Sequence, residues 1–209
     1  LFKARFPFVY IPTWEEVRII NIINDIANSP KKIKTQRDVF VWSLTEGVKK
    51  ITDEGQENVD VGSEPIEALN FIENYNEPAI MILKDVHCLL GVNNRSADFN
   101  YIRKIRDVAN SIKNDDVAKN IVIVAPTLVL PTELQKDITV VEFDLPTINE
   151  LKELLNNMVE ANEESGILVD LDESAIETLC KGAQGLTLQE AENAFARAMV
   201  ANGQISIKE

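Results

Sequence analysis

A layered α/β fold, with a five-stranded parallel sheet flanked by helices and a small helical subdomain after it, is predicted by three observations. Strand-like and helix-like apolar patterns alternate through the first two thirds of the 209-residue chain, which favours helices laid on a sheet over a sandwich or a bundle. The third and fourth strand segments, "IMILKDVHCLL" and "NIVIVAPTLVLP", are nearly continuous apolar runs, as expected for parallel strands covered on both faces. From "INELKELLNNMVEANEESG" onward the pattern is only helical. The expected division is therefore an α/β core over residues 1–147 and a helical subdomain over 148–209, and an apolar content of 45% supports a sizeable core.

The first strand is "FPFVYIPT", and Thr13 with Glu16 has the spacing of a capping box that starts the helix "WEEVRIINIINDIANS". A second strand, "DVFVWSLTEG", precedes "VKKITDEGQENVDVGSE", whose Gly and Asp content reads as loop. The helix "EPIEALNFIENYNE" carries Pro65 in its first turn, where a missing N–H costs little. After the third strand, "FNYIRKIRDVANSIKN" places Ile102, Ile105, Val108, Ala109 and Ile112 at helical spacing. The fourth strand follows, and the fifth, "TVVEFDLP", ends at a proline that cannot extend a ladder. In the tail, Asp172 or a neighbour is expected to cap "ESAIETLCKG", with Gly182 or Gly185 stopping it. Thr187 with Glu190 forms a capping box for "LQEAENAFARAMVAN".

The formal net charge is −13, and thirteen acidic residues against Lys152 and Lys181 give the span from Glu142 to Glu192 a balance of −11. Such a surface repels phosphate backbones, so no nucleic-acid partner is expected. Two distant cysteines, Cys88 and Cys180, and one histidine do not supply the three or four ligands of a zinc site, and nothing points to an oxidising compartment. No run approaches the about 18 apolar residues of a membrane span, and the start lacks the small-residue cleavage pattern of a signal peptide. No membrane partner and a cytoplasmic location are the expectations. Because the chain opens on Leu1, it is expected to be a piece of a longer protein.

The order of elements and three local patterns resemble the core and helical lid of AAA+ ATPases, a P-loop-NTPase-like fold. The stretch "IMILKDVH" resembles the Walker B strand. The stretch from "IVIVAPTLVLP" to "FDLPTINELKELL" resembles the sensor-1 strand, the Arg-finger turn and the fifth strand leading into the lid helix. The C-terminal "GAQGLTLQEAENAFARAMV" resembles the last lid helices. More narrowly, "ARFPFVYIPTWEE", "FVWSLTEG", "APTLVLPTEL" and "GLTLQEAENAFARA" resemble the N-terminal module of an AAA ATPase family encoded as a hypothetical reading frame in algal plastids and by cyanobacteria. The resemblance implies that the chain is the first module of a larger ATPase. ATP and Mg²⁺ would then be bound by a downstream domain, the partner would be that domain or another protein, and the plastid stroma becomes an alternative location.

Site by site, the catalytic parts are altered. A P-loop needs G-x-x-x-x-G-K-[ST] after the first strand, because glycines let backbone N–H groups close around phosphate while the lysine reaches its terminal oxygens. Here that position reads "PTWEEVR", there is no Gly-Lys pair in the chain, and Glu15 and Glu16 oppose phosphate with like charge. The resemblance aligns Lys84 with the magnesium-ordering acid and Asp85 with the water-activating one. A lysine cannot ligate Mg²⁺. Thr127 takes the sensor-1 position, the turn "LQKDITV" lacks an arginine, and sensor 2 has no matching arginine. No catalytic residue, no metal and no cofactor are expected in this segment, and its expected role is a noncatalytic interaction or regulatory module. A P-loop-free ATP-binding domain and a receiver-like phosphoacceptor at Asp85 are the alternatives; the second would need a lysine after the fifth strand, where "FDLPT" has none.

The basic helix face with Arg103, Lys104 and Arg106 is the candidate interaction surface, with local ion pairs to Asp98 and Asp107 as the plainer reading. Trp14 and Trp42 lie near strand ends, where core packing is the expectation. His87 and Cys88, read as neighbours in a strand, would point to opposite faces and form no dyad, which leaves a buried thiol and an ordinary loop histidine. The "DLDES" run lacks the glycine and closing Glu of a calcium loop.

Overall fold

The computed structural model describes residues 2, 6–92, 96–164 and 173–202. The chain divides into two compact units, Leu1–Phe143 and Asp144–Glu209.

The first unit is built on strands β1 (Phe8–Pro12), β2 (Asp38–Ser43), β3 (Gly47–Thr52), β4 (Gly55–Asn58), β5 (Ala79–Lys84), β6 (Lys119–Ala125) and β7 (Ile138–Val140), with helices α1 (Glu16–Asn28), α2 (Pro65–Asn74) and α3 (Phe99–Asn114). One sheet holds all seven strands in the order β4-β3-β2-β5-β6-β1-β7. The five strands from β2 to β7 are parallel, with Phe8 opposite Ile121 and Ile138, and Ile82 opposite Val41 and Val122.

Strand periodicity explains the two cores. Phe8, Tyr10, Phe40, Trp42, Met81 and Leu83 face α2 and α3, meeting Leu69, Ile72, Ile105 and Val108. The intervening Val9, Ile11, Val39, Val41, Ile80 and Ile82 face α1 through Ile19, Ile23 and Ala27. Both faces are apolar because both are covered. Each fully buried aliphatic side chain stabilises by roughly 1.5–3 kcal/mol, so truncating Ile23 to Ala, with its cavity, costs about 2–5 kcal/mol.

Two strands beyond the expected five come from the segment read as loop. β3 pairs antiparallel with β2, and β4 with β3, around a turn at Asp53 and Glu54. The hairpin is held by backbone pairing to the edge of β2, which leaves no apolar signature on the fully exposed β4. Its entry depends on Gly47 at φ +68, where a Cβ would also meet the Val61 carbonyl oxygen at 3.3 Å. A short, charged outer strand also blunts an edge that would otherwise invite pairing.

The second unit contains α4 (Ile148–Glu164), α5 (Glu173–Gly182) and α6 (Leu188–Asn202). Leu151, Leu155, Cys180, Ala183, Ala191 and Phe195 form its core. The box at α6 is formed: Thr187 N–H donates to Glu190 Oε2 at 2.8 Å and Glu190 N–H to Thr187 Oγ1 at 3.3 Å. Thr147 and Glu150 make the same reciprocal pair at α4. The expected cap at Asp172 and part of "DLDES" lie outside the described residues.

Candidate functional site

In an open parallel sheet, ligands bind outside the carboxyl ends of the strands, so the site is built from what leaves β1, β5 and β6 there. Only Thr13, Trp14 and Glu15 separate β1 from α1. Thr13 N–H donates to the Ala125 carbonyl at 2.8 Å, holding the link against the end of β6. Three residues cannot encircle a phosphate as a P-loop does.

The expected Thr13–Glu16 capping box is not formed. Glu15 occupies the N-cap position without a side-chain cap, and Thr13 Oγ1 accepts from Glu15 N–H at 3.1 Å. The helix starts two residues later than a box from Thr13 requires, which frees Glu16. Its Oε2 lies 2.9 Å from Lys84 Nζ, with 24% of the lysine and 32% of the glutamate side chain exposed. Glu15 is buried and takes Arg18 at 2.8 Å, and the Arg18 guanidinium lies 4.6 Å from the Phe143 ring centre. Two carboxylates thus stand at the start of α1, where the helix dipole favours negative charge and where a phosphate would otherwise sit.

Asp85 adopts left-handed backbone at φ 56, ψ 19. Its N–H donates to the Val124 carbonyl at 3.0 Å, and its own carbonyl accepts from Cys88 N–H at 3.4 Å and from Cys88 Sγ at 3.1 Å. The residue therefore turns the chain from β5 into the 3-10 turn Val86–Leu89. His87 and Cys88 lie in that turn and not in a strand, and Cys88 is exposed. His87 Nδ1 is 3.6 Å from Asp85 Oδ1, beyond hydrogen-bond reach.

Thr127 is exposed, two residues past β6. Its carbonyl accepts from the Tyr10 hydroxyl at 2.7 Å, and that hydroxyl accepts from Val129 N–H at 3.4 Å. Burial pushes the Tyr10 hydroxyl above its usual range, partly offset by the Val129 bond and reinforced by the Asp85 charge. Tyr10 thus fastens the loop after β6 to β1, a role that sequence reasoning missed because "FVYIP" reads only as core.

A cleft of about 340 Å³ opens beside Lys84 and Asp85, lined also by Trp42, Ser43, Pro65 and Cys88. Trp42 is buried and donates through Nε1 to the Ser63 carbonyl at 3.2 Å. Trp14, expected in the core, is instead 76% exposed, because the short β1–α1 link turns it outward. Leu44 and Leu128, in the links after β2 and β6, and Val17, in the first turn of α1, are also exposed.

Arg103 and Arg106 lie on the outer face of α3. Arg103 pairs with Asp107, Lys104 with Glu73 at 2.6 Å, and Arg106 with Asp137 at 3.8 Å. Asp98 pairs with none of them. It caps α3, accepting from Asn100 N–H at 2.9 Å and Tyr101 N–H at 3.1 Å.

The structure therefore brings Lys84, Asp85 and Thr127 to one edge and leaves Arg103 and Arg106 away from it. These residues do not fit Mg²⁺ and a triphosphate: the side chain at the end of β5 is a lysine already paired with Glu16, which cannot ligate a metal, and the link after β1 is too short. Among the described residues, no group of three or more His, Cys, Asp or Glu side chains could hold a metal. No described helix is long and apolar enough to cross a membrane.

Residues 1–143 match the family described as SpoVK-like AAA ATPase, N-terminal domain, and residues 149–209 match SpoVK-like AAA ATPase, second domain. The chain is 31% identical over 210 residues to the AAA domain-containing protein ycf46 of Guillardia theta, covering 100% of this chain and 38% of that protein. It is 30% identical over 201 residues to ycf46 of Trieres chinensis, covering 94% and 36%. The chain thus spans less than two fifths of the length of these relatives. Among solved structures, it resembles the FIGL-1 AAA domain in complex with ADP, with a TM-score of 0.56 and 13% identity over 94% of this chain and 61% of that one. It also resembles a RuvB mutant of Thermotoga maritima, with a TM-score of 0.54 and 13% identity over 95% and 58%. At such identities the likeness concerns the fold alone.

Proposed function

The chain belongs to the SpoVK-like AAA ATPase family, and from that premise we propose that it is a noncatalytic AAA+-like N-terminal module that regulates a larger ATPase through protein contacts. The observation that carries this reading is the Lys84–Glu16 ion pair. It supports the reading because a lysine at the end of β5 offers no ligand to a metal, and a carboxylate in the first turn of α1 opposes a phosphate there with like charge. In this reading ATP and Mg²⁺ belong to a downstream domain of the longer protein, and the module itself binds neither metal, nucleic acid nor membrane. The exposed Trp14, Val17, Leu44 and Leu128 support docking at the carboxyl edge, since exposed tryptophan flanked by aliphatic side chains is typical of interface anchors. The partner is the downstream domain of the same protein, and the place of action is the cytoplasm or plastid stroma.

Titration of the chain with ATP and ADP, with and without magnesium, combined with a phosphate-release assay, tests the proposal. No magnesium-dependent binding and no phosphate release are expected. Magnesium-dependent binding at micromolar affinity would overturn the reading and reveal a nucleotide site without a P-loop.

A further inference from the structure

The sheet has a second chemically distinct edge. The segment "SPKKIKTQR" between α1 and β2 contains Lys31, Lys32, Lys34 and Arg37 and no acid, within a chain of net charge −13. In the rest of the first unit, basic side chains commonly rest on carboxylates, as Lys50 does on Asp38, Lys84 on Glu16, Lys104 on Glu73 and Lys113 on Asp137. Lys31, Lys32 and Lys34 are exposed and have no carboxylate partner among the described residues. Three like charges so close repel one another, and an anion placed among them removes that repulsion.

The loop that presents them is fixed. The Ser29 carbonyl accepts from Lys32 N–H at 3.0 Å and Ile33 N–H at 2.9 Å, and Arg37 N–H donates to the Ala27 carbonyl at 3.2 Å. Gln36 Nε2 donates to Asn28 Oδ1 at 2.8 Å, and Ile33 is buried beneath. Arg37 is only 5% exposed; its guanidinium donates to Asn120 Oδ1 and to the Phe2 carbonyl, which fixes it at the pocket wall. Lys31, Lys34, Thr35 and Arg37 line a pocket of about 580 Å³ whose remaining walls are Pro30, Ile33 and Ala118. It therefore combines separate ammonium groups, a hydroxyl and a buried guanidinium with an apolar floor, and no lining residue is acidic.

We propose that this pocket, at the amino ends of β2 and β6, binds the phosphate groups of a small organic phosphate. Phosphate is the favoured anion because its oxygens spread in three directions and suit several point-charge ammonium groups, whereas a carboxylate is planar and saturated by one fork. The apolar floor takes the organic part of the ligand.

The test is calorimetric titration with pyrophosphate at low salt, with citrate as the carboxylate control, on the chain, on Lys31→Ala/Lys34→Ala, and on Lys136→Ala, which removes an exposed lysine elsewhere. Saturable binding of pyrophosphate is expected, weakened by about tenfold or more in the double variant and unchanged in Lys136→Ala. Magnesium should weaken it by masking the ligand, the opposite sign to a P-loop site, so the result separates from that of the nucleotide test above. Because Lys31 and Lys34 are exposed and have no carboxylate partner among the described residues, the double variant should keep the parent unfolding temperature. No saturable binding up to about 10 mM, equal binding of citrate, or binding that survives the double variant would overturn the proposal.

Discussion

Lys84 and Glu16 meet at 2.9 Å across the end of β6, joining the carboxyl end of β5 to the first turn of α1. Because a quarter to a third of each side chain remains in water, the pair contributes only about 0.2–1 kcal/mol. A double-mutant cycle of Lys84→Ala and Glu16→Ala, followed by denaturant unfolding, should return a coupling in that range. Lys84→Asp should destabilise more than Lys84→Ala, since it sets a new carboxylate beside Glu16 and Asp85. It should still bind no Mg²⁺–ATP, because Thr13 to Glu15 stays too short to wrap phosphate. Magnesium-dependent affinity in Lys84→Asp would mean that the lysine alone blocks the site.

Asp85 is held in left-handed backbone, which Asp and Gly tolerate and β-branched residues do not. Asp85→Gly should change stability by no more than about 0.5 kcal/mol, with relief of the turn set against a looser unfolded chain. Asp85→Val should cost about 1–2 kcal/mol. Equal stability of the two variants in urea would show that the turn is not what Asp85 supplies.

All three tyrosines should ionise late. Tyr75 is pushed up to about 12 by burial and then by its hydrogen bond to Asp38. Burial also raises Tyr10 and Tyr101. A raised folded value means that the neutral phenol is favoured in the fold. The stabilisation is therefore complete below pH 10 and is lost as pH rises from 10 through about 12. Ultraviolet titration should show no phenolate step at pH 10 in the folded chain and a full one there in denaturant; a step at 10 without denaturant would contradict the packing described.

Trp14 reports on the docking edge. In the isolated chain its fluorescence should be quenched readily by acrylamide while Trp42 is protected. In the full-length protein Trp14 should become protected as well. Trp14→Ser should leave stability within about 0.5 kcal/mol and weaken association with the downstream domain. Unchanged quenching in the full-length protein would remove Trp14 from the interface.

Legibility in the sequence followed the source of each signal. The parallel strands were visible because residues such as Ile80 to Leu83 and Ile121 to Val124 are apolar on both faces, and α3 because its buried side chains recur at helical spacing. The β3–β4 hairpin was hidden because it gains backbone bonds from β2 with little burial, so "GQEN" carries no pattern. Thr13 and Glu16 had correct box spacing, yet the cap failed because the helix began at Glu16 itself.

By itself, the sequence determined the layered α/β class, the helical tail, the absence of a glycine loop after the first strand and the lysine at the end of β5, since each depends on residue type and local period. Only the tertiary structure decided that Lys84 reaches Glu16, that Tyr10 fastens the loop at Thr127, that Trp14 faces water and that Arg37 lines a basic pocket. Those relations join residues up to more than a hundred positions apart, and strand order, which no local pattern contains, sets which of them become neighbours.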